Sequence, residues 1–159
     1  LFCHHKESLK EMLKKAHTLL DRTAKDSGGR DCLAVELYKR SGGSRTICRK
    51  WDDKAWKAFE DVCIALGDTE KQKELSRSLM YRLNEFKPAL EAIIKAQTDV
   101  DKRLEDFIAA QIDRSEIKST KIDQLAKSIV SVIWNRCDTS SPIQTENLVI
   151  ASFLAEKGE

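Results

Sequence analysis

The sequence of 159 residues lacks the short motifs that usually identify a catalytic or cofactor-binding site. It has no Gly-x-Gly-x-x-Gly segment and no Gly-Lys-Ser/Thr segment, so it offers no glycine-rich loop for a nucleotide phosphate. None of its five cysteines forms a Cys-x-x-Cys pair, which removes the usual zinc-ribbon and thioredoxin interpretations. The longest mainly apolar run, 129–134, is far shorter than the roughly 18 residues of a membrane span. We therefore expect no membrane-spanning segment.

Glycine and proline are also scarce, with six and two residues respectively. Between 69 and 137 the sequence has no glycine and a single proline, Pro88. Charged residues make up 34%, hydrophobic residues 41% and aromatic residues 6%, a composition typical of soluble helical proteins. The length suits one domain that closes a single core without metal or disulfide help. We therefore predict one domain over residues 1–159.

Apolar residues recur every three or four positions from 75 to 137, as expected for helices with one buried face. The first stripe, which includes one polar residue, is Leu75, Leu79, Leu83, Phe86, Leu90, Ile93, Ile94, Gln97, Val100, Leu104, Phe107, Ile108 and Ile112, and the second is Ile122, Leu125, Ile129, Val132, Ile133 and Cys137. Thr69 and Gln72 have the spacing of a capping box, which fixes the start of the first stripe. The pattern predicts a long central helix to Ile112, kinked or broken at Pro88, a turn at Arg114-Ser115 and a helix over 116–136.

Four shorter helices complete the predicted fold. They cover 6–26, 32–40, 48–66 and a final segment that starts at Ser141-Pro142. The first of them has Leu9, Met12, Leu13, Ala16, Leu19 and Leu20 on one face, which we expect to be buried. The sequence thus predicts an all-α, single-domain bundle of about five to six helices. In it, residues 1–67 form shorter cysteine-bearing helices and loops, and residues 68–159 form the long-helix core.

The cysteines are concentrated near the amino end. They are Cys3, Cys32, Cys48, Cys63 and Cys137, and all five are candidates for disulfides, with one thiol left over. A loop-rich region closed by disulfides is typical of secreted proteins. The chain begins at Leu1 rather than at methionine, which fits either a mature protein without its leader or an excised domain. These features predict a secreted, extracellular protein, with a cytoplasmic location as the alternative.

Candidates for a metal site or a catalytic site are few. Cys3, His4 and His5 are adjacent, but a metal site needs three or four ligands held in a fixed geometry, so we expect no metal. The only acid near His17 is Asp21, four residues on, and no nucleophile is within reach. The carboxylates are spaced as ordinary solvated charges on helices. The sequence therefore predicts no enzyme and no cofactor.

The most distinctive surface segment is basic. Lys39, Arg40, Arg45, Arg49 and Lys50 surround a Ser-Gly-Gly-Ser turn, and Trp51 and Trp56 follow directly. Arginine and tryptophan are the types most enriched at interface hot spots, so these seven residues form the predicted partner-binding site. A simpler interpretation is that Trp51 packs in the core and that the basic residues only make the surface soluble.

These features favour a non-enzymatic protein that acts by binding another protein, in the manner of a cytokine or an inhibitor of a target protein. An intracellular helical adaptor or scaffold is the alternative, and binding to an anionic polymer through the basic loop is a more distant third. The net charge is only +2 and lacks strong clustering, which argues against a dedicated nucleic-acid binder. No motif indicates the partner's identity or an oligomeric state.

Overall fold

The structure, a computed structural model, describes residues 1–4, 6–39, 43–67, 75–112 and 119–157. The chain divides into two compact units, Leu1–Trp56 and Lys57–Glu159. We call them the N-unit and the C-unit and describe each by itself. The helices are α1 (Leu9–Thr18), a π-helix (Leu19–Ser27), α2 (Ala55–Leu66), α3 (Arg77–Glu85), α4 (Lys87–Lys95), α5 (Val100–Gln111), α6 (Ser119–Ile133) and α7 (Glu146–Lys157), and the strands are β1 (Cys32–Tyr38) and β2 (Ser44–Lys50).

The N-unit contains an antiparallel hairpin, which makes the all-α prediction wrong. Its register runs from Cys32 opposite Lys50 to Tyr38 opposite Ser44. The predicted helix 32–40 is therefore strand β1, and the first residues of the predicted helix 48–66 belong to β2. Helix α2 begins only at Ala55, whose N–H donates to the Asp53 side chain at 2.8 Å. The fold is mixed, with seven α-helices and one small sheet among the described residues.

The hairpin is covered on both faces, and this explains why its sequence does not alternate. On one face the Cys48 thiol donates to the carbonyl oxygen of Thr23 in the π-helix. On the other face Leu37 and Ile47 are fully buried. A strand that is covered on both sides reads as a continuous apolar run, here Cys-Leu-Ala-Val, which periodicity cannot distinguish from a short helix.

The helical segment of the N-unit runs antiparallel to β1. Lys15 on α1 lies over the ring of Tyr38, 3.1 Å from its centroid, and the π-helix ends beside Cys32. Leu19 and Ala24 are buried and lie five residues apart, as the wider turn of a π-helix requires. The N–H of Gly28 closes the last π turn on the Thr23 carbonyl at 2.8 Å.

Gly28 packs directly against β1. A Cβ atom at this position would lie 2.8 Å from Cys32 Sγ and 2.8 Å from the Ala24 carbonyl oxygen. The Cys32 thiol also donates to the Gly28 carbonyl at 2.6 Å. Position 28 therefore requires glycine because there is no room for a Cβ atom. The backbone conformation does not require it, since the φ of Gly28 is an ordinary −82°.

In the C-unit the predicted long helix is three helices, α3, α4 and α5. Pro88 lies in the first turn of α4, where a missing N–H costs nothing, so the chain breaks here rather than kinks. A second break, which was not predicted, falls at Gln97 and Asp99, whose φ values are 55° and 44°. The capping box at Thr69 and the turn at Arg114-Ser115 lie outside the described residues.

The core of the C-unit forms where α5 packs on α6, α6 on α7 and α3 on α7. The predicted stripe of α6 is confirmed, since Ile122, Leu125, Ile129, Val132 and Ile133 are all buried. Cys137, expected at the end of that stripe, is exposed instead.

The last helix begins later than predicted, at Glu146. Residues 142–144 instead pair with the end of α6, as the Gln144 N–H donates to the Ile133 carbonyl at 2.7 Å. The Asp138 carboxylate holds the preceding loop by accepting from the N–H groups of Ser140 and Ser141, each at 3.0 Å. No described helix is long and apolar enough to cross a membrane.

Replacing Gly28 by alanine should destabilise the N-unit. The added methyl group must displace Cys32 or the backbone at Ala24, and overpacking of this kind costs about 1–3 kcal/mol. Urea unfolding followed by circular dichroism measures the loss. Gly67→Ala is the control, because its Cβ meets only the Ile64 and Cys63 carbonyl oxygens, at 3.4 and 3.5 Å. Equal stability of the two variants would contradict the close packing at Gly28.

Candidate partner-binding surface

The hairpin separates the seven residues of the predicted site. Lys39 and Arg45 are half-buried near the loop, whereas Lys50 and Trp51 are exposed at the opposite end of β2. At about 3.3 Å per residue, Arg45 and Lys50 lie about 17 Å apart along the strand. Arg40 lies outside the described residues. The basic loop and the tryptophans therefore do not form one cluster.

Lys50 and Trp51 occupy a tight turn after β2. The Lys50 carbonyl accepts from the Trp56 indole N–H at 2.9 Å and from the Asp53 N–H at 3.1 Å. Trp56 is half-buried, so it holds this turn. The side chain of Trp51 is 61% exposed. Trp51 therefore presents a large apolar surface beside the Lys50 cation, without serving the core.

Arg49 faces inward. It is only 6% exposed, and its Nη1 donates to the Cys48 carbonyl at 3.0 Å. The strand period of two puts Arg45, Ile47 and Arg49 on one face and Lys50 on the other. A charge reversal at Arg49 would place a carboxylate in a buried site and lower stability, so Lys50 is the better residue for testing binding.

The predicted inner face of the first helix is only half covered. Met12 and Leu19 are buried, but Leu9, Leu13 and Leu20 are 74%, 53% and 49% exposed. The apolar arc is wider than the side of the helix that packs in the N-unit. We call Leu9, Leu13, Leu20 and the half-buried Ala16 between them the leucine stripe. Sequence periodicity identified these residues as apolar and helical but wrongly assigned the leucines to the core.

Lysines border the leucine stripe on one side. Lys10 and Lys14 are exposed and lie four residues apart on α1, so they follow the same helix edge, and Lys6 is exposed in the turn before the helix. Because Lys15 packs on Tyr38, this part of α1 lies beside the loop end of the hairpin, where Lys39 and Arg45 are found. An exposed apolar stripe is thus accompanied by cations from both α1 and the hairpin.

Charge is divided unequally between the units. The N-unit has 13 Lys and Arg residues against 8 Asp and Glu residues, a net charge of +5. The C-unit has 15 against 18, a net charge of −3. Such a field around the N-unit attracts anionic partners.

All five cysteines are thiols, so the disulfide prediction is wrong. Cys3 and Cys137 are exposed, while Cys32 and Cys48 donate to backbone carbonyls of the N-unit. Burial is the main reason why the pKa of Cys48 is raised. The prediction of secretion rested mainly on disulfides and therefore loses its main support. The cellular location stays a prediction.

Neither the His, Cys, Asp and Glu side chains nor the grooves of the described residues define a further site. No group of three or more His, Cys, Asp or Glu side chains within them has an arrangement that could hold a metal ion. An open groove of about 420 Å³ in the C-unit lies between α5 and α6. Its charged lining mixes signs, with Asp101, Glu105 and Asp123 beside Lys102 and Lys127, and does not define a ligand.

No protein-family model, no curated protein and no solved structure matches this chain. The candidate surface therefore rests on the geometry of the chain alone.

The thiols should differ in their rates of alkylation. Burial, reinforced by the negative charge of Glu60, raises the pKa of Cys63 from 9.0 to about 11. At pH 8 its thiolate fraction is then about 100-fold below that of an ordinary cysteine, and it rises until the pH passes about 11. Non-reducing mass spectrometry during iodoacetamide treatment should show five thiols, with Cys3 and Cys137 labelled first. Labelling of Cys63 as fast as Cys137 would contradict its burial.

Proposed function

We propose that this chain is a non-enzymatic binding protein that recognises an acidic protein partner through its N-unit. The observation that carries the proposal is the accumulation of exposed apolar side chains on this basic unit. Of the eight large hydrophobic side chains exposed in the described residues, five belong to it: Phe2, Leu9, Leu13, Leu20 and Trp51. Exposed apolar groups beside charge of one sign are typical of protein interaction sites.

An adaptor or scaffold role is the form of this proposal that a further observation favours. Five thiols are usual in a reducing compartment and unusual in a small secreted protein. The sequence argument against an enzyme, the lack of a nucleophile near His17, remains the reason for proposing a binding function rather than catalysis.

Binding to an anionic polymer is the competing proposal. The positive charge of the N-unit supports it, but the leucine stripe and Trp51 would have little part in contacts to phosphate or sulfate groups. Polymer binding weakens steeply with salt, because it depends on counterion release. A protein complex in which the partner covers the leucines retains much of its affinity at high salt. Affinity measured against salt concentration therefore separates the two proposals.

The N-unit surface can be tested with two sets of substitutions in the full chain. One set is Lys50→Glu with Trp51→Ala, and the other is Leu9→Ser with Leu13→Ser. At least one set should lower the recovery of co-purifying partners by about fivefold or more, as loss of a hot spot does. Quantitative mass spectrometry of affinity-purified complexes gives the measurement.

The control for this experiment is Tyr81→Ala, which removes an exposed aromatic side chain from the C-unit. All variants should unfold at the temperature of the unmodified chain, since the altered side chains are exposed. Recovery that falls with Tyr81→Ala but with neither N-unit set would overturn the proposal.

A further inference from the structure

We propose that the leucine stripe, which runs along α1 and ends in the first turn of the π-helix, docks an acidic amphipathic helix of the partner protein. The proposal rests on the proposed function and names the chemistry of the segment that is recognised. It follows from the spacing of the stripe, from the lysines on one of its sides and from the closure of its other side by the N-unit.

The spacing of the stripe is that of a helix–helix contact. Leu9, Leu13 and Ala16 of α1 are separated by four and three residues, and Leu20 follows four residues later in the first turn of the π-helix. This is the alternation of the a and d positions in a coiled coil, in which apolar side chains form one narrow seam. The α1 part of the seam has ten residues, or about 15 Å at 1.5 Å per residue, which suits about three turns of a second helix.

The two sides of the seam are different. Met12 and Leu19 border one side and are buried, so a partner cannot reach that side freely. Lys10 and Lys14 border the other side and are exposed. Lys10 occupies the position after Leu9 at which coiled coils place charges that select the partner. A helix that covers the seam must therefore bring Asp or Glu side chains opposite these lysines.

A second copy of this chain fits the seam poorly. In an antiparallel pair related by two-fold symmetry, the Lys10 side of one helix would meet the same side of the other, and like charges repel. In a parallel pair, Lys10 would meet the side that the buried Met12 and Leu19 close. Glu11 lies on the opposite side of α1 from Leu9, because each residue turns the helix by about 100°. Within α1 no acidic residue lies beside Lys10, and Asp21, which follows Leu20 in the π-helix, is already paired with Lys25 at 2.8 Å.

An anionic membrane is also a poorer match. A helix that lies on a membrane sinks its apolar face about 5–10 Å into the headgroup boundary and carries cations along its polar face. Here the side with Met12 and Leu19 is packed within the chain, which limits the depth that the leucines can reach. A protein helix needs only the narrow seam that is exposed.

The test uses a synthetic peptide of three heptads, with leucine at the a and d positions and glutamate at both flanking positions. A matched peptide has lysine in place of each glutamate. Each is titrated into the full ¹⁵N-labelled chain and followed by NMR, which detects weak binding and locates it. We expect the acidic peptide to shift the signals of Leu9, Leu13 and Leu20 and to bind at least tenfold more tightly than the lysine peptide.

Three variants separate the contributions to binding. Leu9→Ser with Leu13→Ser should weaken the acidic peptide at least tenfold, and Lys10→Glu with Lys14→Glu should reverse the preference between the peptides. Ile64→Ser, which alters an exposed apolar residue of the C-unit, should change neither. Equal affinity for the two peptides, or binding that the leucine substitutions leave unchanged, would overturn the inference.

Two other results would also overturn it. One is self-association of the chain in sedimentation that Leu9→Ser with Leu13→Ser abolishes, which would identify a second copy. The other is binding to phosphatidylserine vesicles through the leucines without binding to the acidic peptide. If partner recovery depends on Lys50 and Trp51 but not on Leu9 and Leu13, only this inference fails. If recovery depends on neither set, the proposed function fails as well.

Discussion

The close packing of the π-helix on β1 at Gly28 determines the arrangement of the N-unit. Only a residue without Cβ allows the helix to approach Cys32 this closely, and the thiols of Cys32 and Cys48 bond to its carbonyls. This approach fixes which side of the helix faces β1. Because Met12, Leu19 and Ala24 turn inward, Leu9, Leu13 and Leu20 remain outside. The candidate surface thus follows from a backbone contact some distance away from it.

Sequence periodicity predicted the parts of the fold in which one face is buried and no residue interrupts the helix. The stripe of α6 is the best example, since its spacing alone identifies five buried residues. The hairpin was missed because both of its faces are covered, so no alternation remains. Its available signals were Val35, Thr46 and Ile47, which are β-branched and lie on either side of a glycine-containing loop. The break at Gln97 and Asp99 carries no glycine or proline, and its available signal was Asp99, a residue type preferred just before a helix begins, here α5.

For the candidate site, the sequence shows which residues are charged but not which of them are exposed. Arg45, Arg49 and Lys50 look equivalent in sequence, but the strand period sends Arg49 inward while the turn after β2 leaves Lys50 and Trp51 exposed. Once β2 is assigned as a strand, the opposite orientations of Arg49 and Lys50 follow from the alternation of side chains along it. The exposure of the leucine stripe does not follow from counting at all, because it depends on how wide a side of the helix the N-unit covers.

The size of the leucine stripe limits what it can do alone. Complete burial of a leucine stabilises a contact by about 1.5–3 kcal/mol, and these three are already partly covered, so together they supply about 3–5 kcal/mol. Association itself costs at least about 4 kcal/mol. The free energy that the leucines supply therefore only about equals the cost of association. Selectivity between partners depends on the lysines, which accelerate encounter with an acidic helix and oppose a basic one. Strong binding then requires a further contact on the same protein, and the exposed Trp51 beside Lys50 is the surface of the N-unit best suited to provide it.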